Sequence, residues 1–234
     1  MGGQEDLFLV RSDGTGLRKL TDDPHRDRGP SWSPDGKRIA FYSNRDAGKY
    51  EIWLINPDGS GLTQLTRTSG RGWFPWWSAD GKQIAYPTGT ESLVLDVAAG
   101  PARAPQPLPP FPEPDHWFQV TSWSPDGRSL AGEGNRLASS AGGGVVLYSF
   151  DTRRYERLAD RGLKPIWLRD GRQLLFSPDP EHLALLDSRT RQARTVYTSP
   201  RGSQIADFTV SKDDSWICII RSNDEGDVWL AKLE

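Results

Sequence analysis

Sulfur and histidine are scarce in this chain: one cysteine, one methionine and three histidines in 234 residues. A lone Cys218 excludes an intrachain disulfide and any C-x-x-C metal site. Its setting, WICII, reads as a buried apolar strand, so an inert core thiol is expected. No segment approaches the ~20 consecutive apolar residues that span a bilayer, so no membrane insertion is expected. Charge of one sign is also missing. Lys and Arg number 29 against 31 Asp and Glu, a formal charge of −2, and that balance gives no whole-chain argument for a nucleic-acid partner. The opening MGGQEDLFLVRSDG lacks the basic region and apolar stretch of a signal peptide. After Met1-Gly2, Asp6 stands where a lipidation signal wants Ser or Thr. The expectation for the chain as written is a cytoplasmic location.

Catalytic motifs are missing too. No G-x-S-x-G string supplies a nucleophile elbow, and Ser203 in RGSQ reads as an ordinary loop serine. His25, His116 and His182 show no H-E-x-x-H or other compact ligand spacing, so neither a metal nor a cofactor is expected. Gly142-Gly143-Gly144 is not a phosphate loop, because the Lys-Ser/Thr continuation is absent.

What the chain does have is large rings and turn formers. Ten Trp, six Tyr and eight Phe stand beside 24 Gly and 18 Pro, which suits short strands better than long helices. A repeat organises them. SWSPDGKRIAF, WWSADGKQIAY, SWSPDGRSLAG, IWLRDGRQLLF and the degenerate TVSKDDSWICII place Asp35, Asp80, Asp126, Asp170 and Asp213 in one column, spaced by 45, 46, 44 and 43 residues. Three residues earlier stand Trp32, Trp77, Trp123 and Trp167, with Val210 in the last copy. Gly36, Gly81, Gly127 and Gly171 follow the aspartate directly, and Asp214 breaks that column.

Each copy reads as a β-hairpin. Proline presets the turn, Asp accepts from nearby amides, and Gly takes the positive φ that leads into the next strand. The four tryptophans are expected to be buried in matching places between sheets. A third strand recurs as DLFLV (6–10), EIWLI (51–55), SLVLD (92–96), VVLYSF (145–150), LALLD (183–187) and DVWLA (227–231). RSDGTGLRKLT and NPDGSGLTQLT add a turn and a fourth strand. Four short antiparallel strands per ~45 residues make an all-β chain of propeller type, read as a single domain over 1–234. The chain opens with two strands of a unit, supplies four full units and closes with three strands, about 21 in all. An incomplete six-bladed ring or an irregular five-bladed one fits that cadence. Residues 99–114, AGPARAPQPLPPFPEP, are expected to form an extended proline-rich surface connection. Residues 132–144 are expected to be a flexible insertion.

The strings WSPDG-K-x-IAF, EIWLINPDGSG and the terminal LT, clearest over Trp32–Phe41, Glu51–Gly61 and Leu65-Thr66, resemble the WD40-like repeats of the TolB C-terminal propeller. The resemblance covers nearly the whole chain and implies a β-propeller. Related propellers occur as envelope interaction domains, as sensor domains and beside the hydrolase domain of prolyl-oligopeptidase-type enzymes. It therefore implies an interaction module binding a protein or peptide, and a periplasmic or other extracytoplasmic place if this is part of a longer protein of that kind.

Two alternatives stay open. One is a propeller enzyme of the glycoside hydrolase kind, working through axial carboxylates about 5 Å or somewhat more apart, with Asp27, Asp115, Asp160 and Asp207 as candidates. The other is a structural partial propeller that self-associates through an open blade edge. For the binding reading, His25, Arg26, Arg71, His116, Trp117 and Arg161 lie nine or ten residues before the turn aspartates. There they are expected to enter the innermost strands and converge at one axial mouth. Arginines there suit an acidic peptide or a terminal carboxylate.

Overall fold

The computed structural model describes residues 4–68, 71–136, 143–222 and 227–233. Met1-Gly2 and residues 137–142 of the expected insertion lie outside the described residues. Two compact units, 1–109 and 110–234, divide the chain, and both are built from the same repeat.

The first unit begins with a two-stranded sheet, β1 (Phe8–Leu9) and β2 (Arg18–Lys19). A four-stranded meander follows: β3 (Asp27–Trp32), β4 (Ile39–Asp46), β5 (Lys49–Ile55) and β6 (Thr63–Gln64). A second meander comprises β7 (Trp76–Trp77), β8 (Gln83–Pro87), β9 (Ser92–Asp96) and β10 (Gln106–Pro107). The second unit holds β11 (His116–Trp123), β12 (Ser129–Arg136), β13 (Val145–Ser149) and β14 (Arg154–Ala159), then β15 (Leu163–Trp167), β16 (Gln173–Asp179), β17 (His182–Asp187) and β18 (Ala193–Thr198). Its last sheet has three strands, β19 (Gln204–Val210), β20 (Trp216–Ser222) and β21 (Asp227–Lys232). All pairings within these sheets are antiparallel. Two strands, four full meanders and three strands are the cadence the repeat predicts.

The contiguous apolar runs of the second strands follow from burial on both faces. In β4, Ile39 and Phe41 pack with Leu7 and Leu20, which flank the first sheet, while Ala40 and Tyr42 turn toward Trp77, Ile84 and Tyr86 of the third. In β16, Leu174 and Phe176 meet Ala131, Val145 and Leu158, and Leu175 meets Phe208, Ile217 and Ile219. Each such side chain contributes roughly 1.5–3 kcal/mol on burial.

The recurring turn carries a device that the aspartate column alone does not reveal. The Ser33 hydroxyl donates to Asp35 Oδ1 at 2.7 Å and accepts the Arg38 amide at 2.9 Å, while the Lys37 amide reaches Asp35 at 3.1 Å. Ser78 and Asp80 repeat this network, as do Ser124 and Asp126, and Ser211 and Asp213. In the fourth turn Leu168 replaces serine, and Asp170 itself accepts both the Arg172 and Gln173 amides, at 2.8 and 2.9 Å. In the fifth, Asp214 takes the left-handed φ of 59° that glycine takes elsewhere. Asx-type acceptance stabilises αL well enough for this substitution.

The tryptophan column departs from its expected uniform burial. Trp77 and Trp123 are each 8% exposed, Trp167 is half-buried, and Trp32 is 50% exposed. Trp77 Nε1 donates to the Ser31 carbonyl of the preceding sheet at 3.1 Å, with the Arg38 guanidinium over its ring. Among the described residues, the two-stranded β1–β2 sheet has no strand equivalent to β3 that would offer Trp32 such a backbone.

Cys218 is likewise half-buried rather than a core thiol. Strand β20 buries Ile217 and Ile219 on one face and leaves Trp216 and Ile220 exposed on the other, which is the face Cys218 shares. Two expected loops contain strands. In the proline-rich stretch, Gln106 and Pro107 pair with Val94 and Leu93, and edge strand β10 tolerates a proline because one side of its ladder is unused. Residues 132–136 continue β12, and a side chain at Gly132 would stand 2.2 Å from the Gln119 carbonyl oxygen.

Candidate functional site

The arginine column is a true register in the first unit. Isolated parallel bridges join Glu5 to Arg26 and Tyr50 to Arg71, one repeat apart. The next residue in each case donates its amide to the same partner, Asp27 to the Glu5 carbonyl at 2.8 Å and Gly72 to the Tyr50 carbonyl at 3.1 Å. These hydrogen bonds tie the chain entering β3 to the segment just before β1, and the chain entering β7 to β5. Arg26 is half-buried and its amide is held by Asn44 Oδ1 at 2.8 Å; Arg71 is exposed. Among the described residues, neither guanidinium makes a hydrogen bond or ion pair. His25 is half-buried beside them, its amide bound to Asp23 at 3.0 Å.

Aromatic rings of the first unit stand near this column. Tyr50, the bridge partner of Arg71, lies 5.6 Å from Tyr42. Tyr42 in turn lies 5.3 Å from Phe74, which is 47% exposed. Phe74 has a left-handed φ of 43°, unusual for a bulky residue. Only the positive φ distinguishes it, and that has no signal in the sequence.

The second unit contains the other expected members. Arg161 is exposed, and its guanidinium is likewise without a hydrogen bond or ion pair among the described residues. His116 and Trp117 open β11 opposite Arg136 and Asn135 and are half-buried. The His116 ring lies 2.7 Å from the Pro114 carbonyl.

Two of the four carboxylates considered for catalysis, Asp27 and Asp207, are committed to ion pairs. Asp27 is buried, and Arg45 donates to both its oxygens at 2.7 and 2.8 Å. Arg45 also lies over the Phe41 and Trp53 rings. Lys164 pairs with Asp207. Asp115 lies in a turn with a φ of 58°, and Asp160 is exposed. A carboxylate outside the expected set, Glu133 on β12, is the chemically distinctive one. Burial pushes its carboxyl above the ordinary range, although the Lys164 amide donates to it at 2.8 Å. It is hidden in GEGNR, which reads as a loop.

The turn carboxylates are structural acceptors. The neighbouring serine hydroxyls hold Asp35 and Asp126 below the usual carboxylate range, and Ser211 leads the same effect on Asp213, brought down to about 2. Asp80 is lowered chiefly by the Lys82 amide. Ser33, Pro34, Asp35, Arg38, Ala79, Asp80 and Gly81 line a polar cleft of about 360 Å³ between two of these turns. Among the described residues, no three His, Cys, Asp or Glu side chains are grouped to hold a metal. No helix among them is long and apolar enough to cross a membrane. Ser203 is buried and its hydroxyl has no hydrogen-bond partner among the described residues.

Residues 1–101 match the family model described as the TolB beta propeller domain. Across the chain, the structure is similar to TolB from Acinetobacter baumannii, with a TM-score of 0.76 at 17% identity, covering 97% of this chain and 57% of that one. The fold is that of a TolB-like propeller. A Protein TolB homolog from Chlorobium luteolum is 51% identical over 43 residues, which is 18% of this chain and 10% of the relative. The chain thus spans a tenth of that relative and little more than half of the solved TolB. TolB-like architecture is shared beyond TolB: an oligogalacturonate lyase solved in complex with manganese has a TM-score of 0.68 at 16% identity, covering 97% of this chain and 70% of that one.

Proposed function

We propose that this TolB-like chain is a non-catalytic protein- or peptide-binding module that reads acidic groups through its arginine column. The observation that carries this reading is register: Arg26 and Arg71 occupy equivalent bridge positions one repeat apart in the first unit, and among the described residues neither guanidinium is in a salt bridge, unlike Arg28 on β3 and Arg45 on β4. A guanidinium presented this way is available for two parallel hydrogen bonds to a carboxylate. In the first unit, Phe74 and Tyr50 supply apolar and aromatic surface beside Arg71 for the body of a peptide. Against the glycosidase reading, Asp27 is neutralised by Arg45 and Asp207 by Lys164, and a general acid needs a carboxyl free to exchange its proton.

Isothermal titration with an Asp/Glu-rich decapeptide and its Asn/Gln analogue tests this. The expected result is binding of the acidic peptide alone, weakened at least tenfold in R26A/R71A with unfolding unchanged. Equal binding of both peptides, or no loss in the variant, would overturn it.

Self-association is a second reading with its own observation. Phe8, Val10 and Leu17 are exposed at the two-stranded sheet, and Trp216 and Ile220 at the three-stranded one. Sedimentation velocity that shows a concentration-independent monomer would remove it.

A further inference from the structure

The proline-rich stretch ends in a segment held on the second unit as a ligand would be held. Phe111 meets Tyr155 edge-to-face at 5.1 Å, and Tyr155 is flanked by Phe118 and Tyr148 at 5.3 and 5.0 Å. Two residues on, Glu113 Oε1 accepts from Arg157 Nε at 3.1 Å and Nη2 at 2.6 Å. The Arg157 guanidinium also lies 6.0 Å from the Phe111 ring, and its Nη1 donates to the Gly143 carbonyl at 2.5 Å. The receiving surface is cut to fit. A Cβ at Gly134 would come within 2.9 Å of Arg157 and 3.1 Å of Phe111, and one at Gly144 within 2.8 Å of Arg157. Glycine at 134 leaves the space that the guanidinium and the ring occupy, while Gly144 is also demanded by the Ala159 carbonyl, 2.3 Å from its Cβ position, and by its φ of 80°.

From this arrangement we infer that Tyr155, Arg157, Gly134 and Gly144 form a recognition site for an aromatic-Pro-acidic peptide, which Phe111-Pro112-Glu113 occupies in cis. The site lies wholly in the second unit and does not depend on the arginine column. Its chemistry suits such a ligand: a ring for an edge-to-face contact, a guanidinium for a carboxylate, and the space left at Gly134. Two prolines, Pro112 and Pro114, bracket Glu113 and fix two of the segment's φ angles, so less order is lost on docking. Among the described residues no strand pairing holds residues 110–113; beyond these side-chain contacts, the Glu113 carbonyl accepts the His116 amide at 3.3 Å and its carboxylate lies 3.9 Å from His116 Nε2. Tethering gives the cis segment an effective concentration in the millimolar range, enough to exclude a weak competitor until one arrives with more contacts.

The test uses the full chain and a fluorescein-labelled Pro-Phe-Pro-Glu-Pro peptide followed by anisotropy. Removing the cis ligand with F111A/E113A is expected to expose the site and bind the peptide at least tenfold more tightly than the wild type. Adding R157A should abolish that binding. A folded F111A/E113A chain that does not bind, wild-type binding of equal strength, or binding that survives R157A would overturn the inference. Should F111A/E113A not fold, hydrogen exchange on the wild type decides. The Phe111 and Glu113 amides must exchange well before those of Phe118–Trp123, and protection as strong as that of β11 would mean a fixed part of the fold, not a displaceable ligand.

Discussion

Truncating Trp77 and Trp32 to alanine separates the packing of this chain from the regularity of its repeat. The two residues occupy the same column, so a repeat-based argument gives them equal weight. The structure does not. A fully buried indole removes about 200 Å² from water, worth up to about 5 kcal/mol at ~25 cal/mol per Å². Trp77 is close to that limit, and its N–H bond to the Ser31 carbonyl adds on the order of 1 kcal/mol. Allowing for partial relaxation of the cavity, Trp77→Ala should cost roughly 3–5 kcal/mol. Trp32 keeps half its surface in water, and no hydrogen bond of its indole nitrogen enters the sum. Its truncation should cost about 2–2.5 kcal/mol by the same area rule. Urea unfolding followed by far-ultraviolet circular dichroism measures both, with the transition of the first unit fitted separately if two are resolved. Equal costs at the two positions would refute the reasoning, because they would mean that burial does not set the energetics of the column.

Ser124→Ala removes the hydroxyl that bridges Asp126 and the Ser129 amide, and should cost about 1–2 kcal/mol in the same assay; a change below experimental error would show the serine to be incidental. Glu133 has a raised carboxyl pKa in the folded chain. Its favourable contribution is therefore present below the unfolded value of ~4.3 and lost as pH rises through the folded one. Glu133→Gln keeps an acceptor for the Lys164 amide, so its stability relative to wild type should grow as pH rises above ~4; a difference that shrinks would contradict the burial argument. The Tyr86 hydroxyl is buried without a hydrogen-bond partner among the described residues. Tyr86→Phe should therefore be neutral or stabilising in thermal unfolding, and a lowered melting temperature would show that the hydroxyl is satisfied.

Architecture was legible because it repeats. The aspartate and glycine columns mark hairpins, and the IAF and IAY runs mark strands covered on both faces, since only such strands dispense with alternation. What the repeat could not convey was its boundary condition. Trp32 matches Trp77 as a letter, yet it faces a sheet of two strands. WICII likewise looks like a core run but lies in a sheet covered on one face. Composition misled where glycine and proline serve packing rather than turning, as at Gly132 beneath the Gln119 carbonyl and Pro107 on an edge strand. The arginine column was visible as spacing. Its lack of salt-bridge partners was not, because Arg28 stands just beyond Arg26 and is paired with Glu5. Glu133 and Phe74 were invisible for a similar reason: burial in one case and a left-handed backbone in the other give them their character.

The central claim is that the arginine column is where an acidic partner is read, and hydrogen exchange with and without the Asp/Glu-rich peptide tests it most directly. The account predicts new protection at the amides of Arg26 and Asp27 and of Arg71 and Gly72, rising together with peptide concentration and absent with the Asn/Gln analogue. Protection confined to the turns around Asp35, Asp80, Asp126 and Asp170, with none at the column, would contradict it.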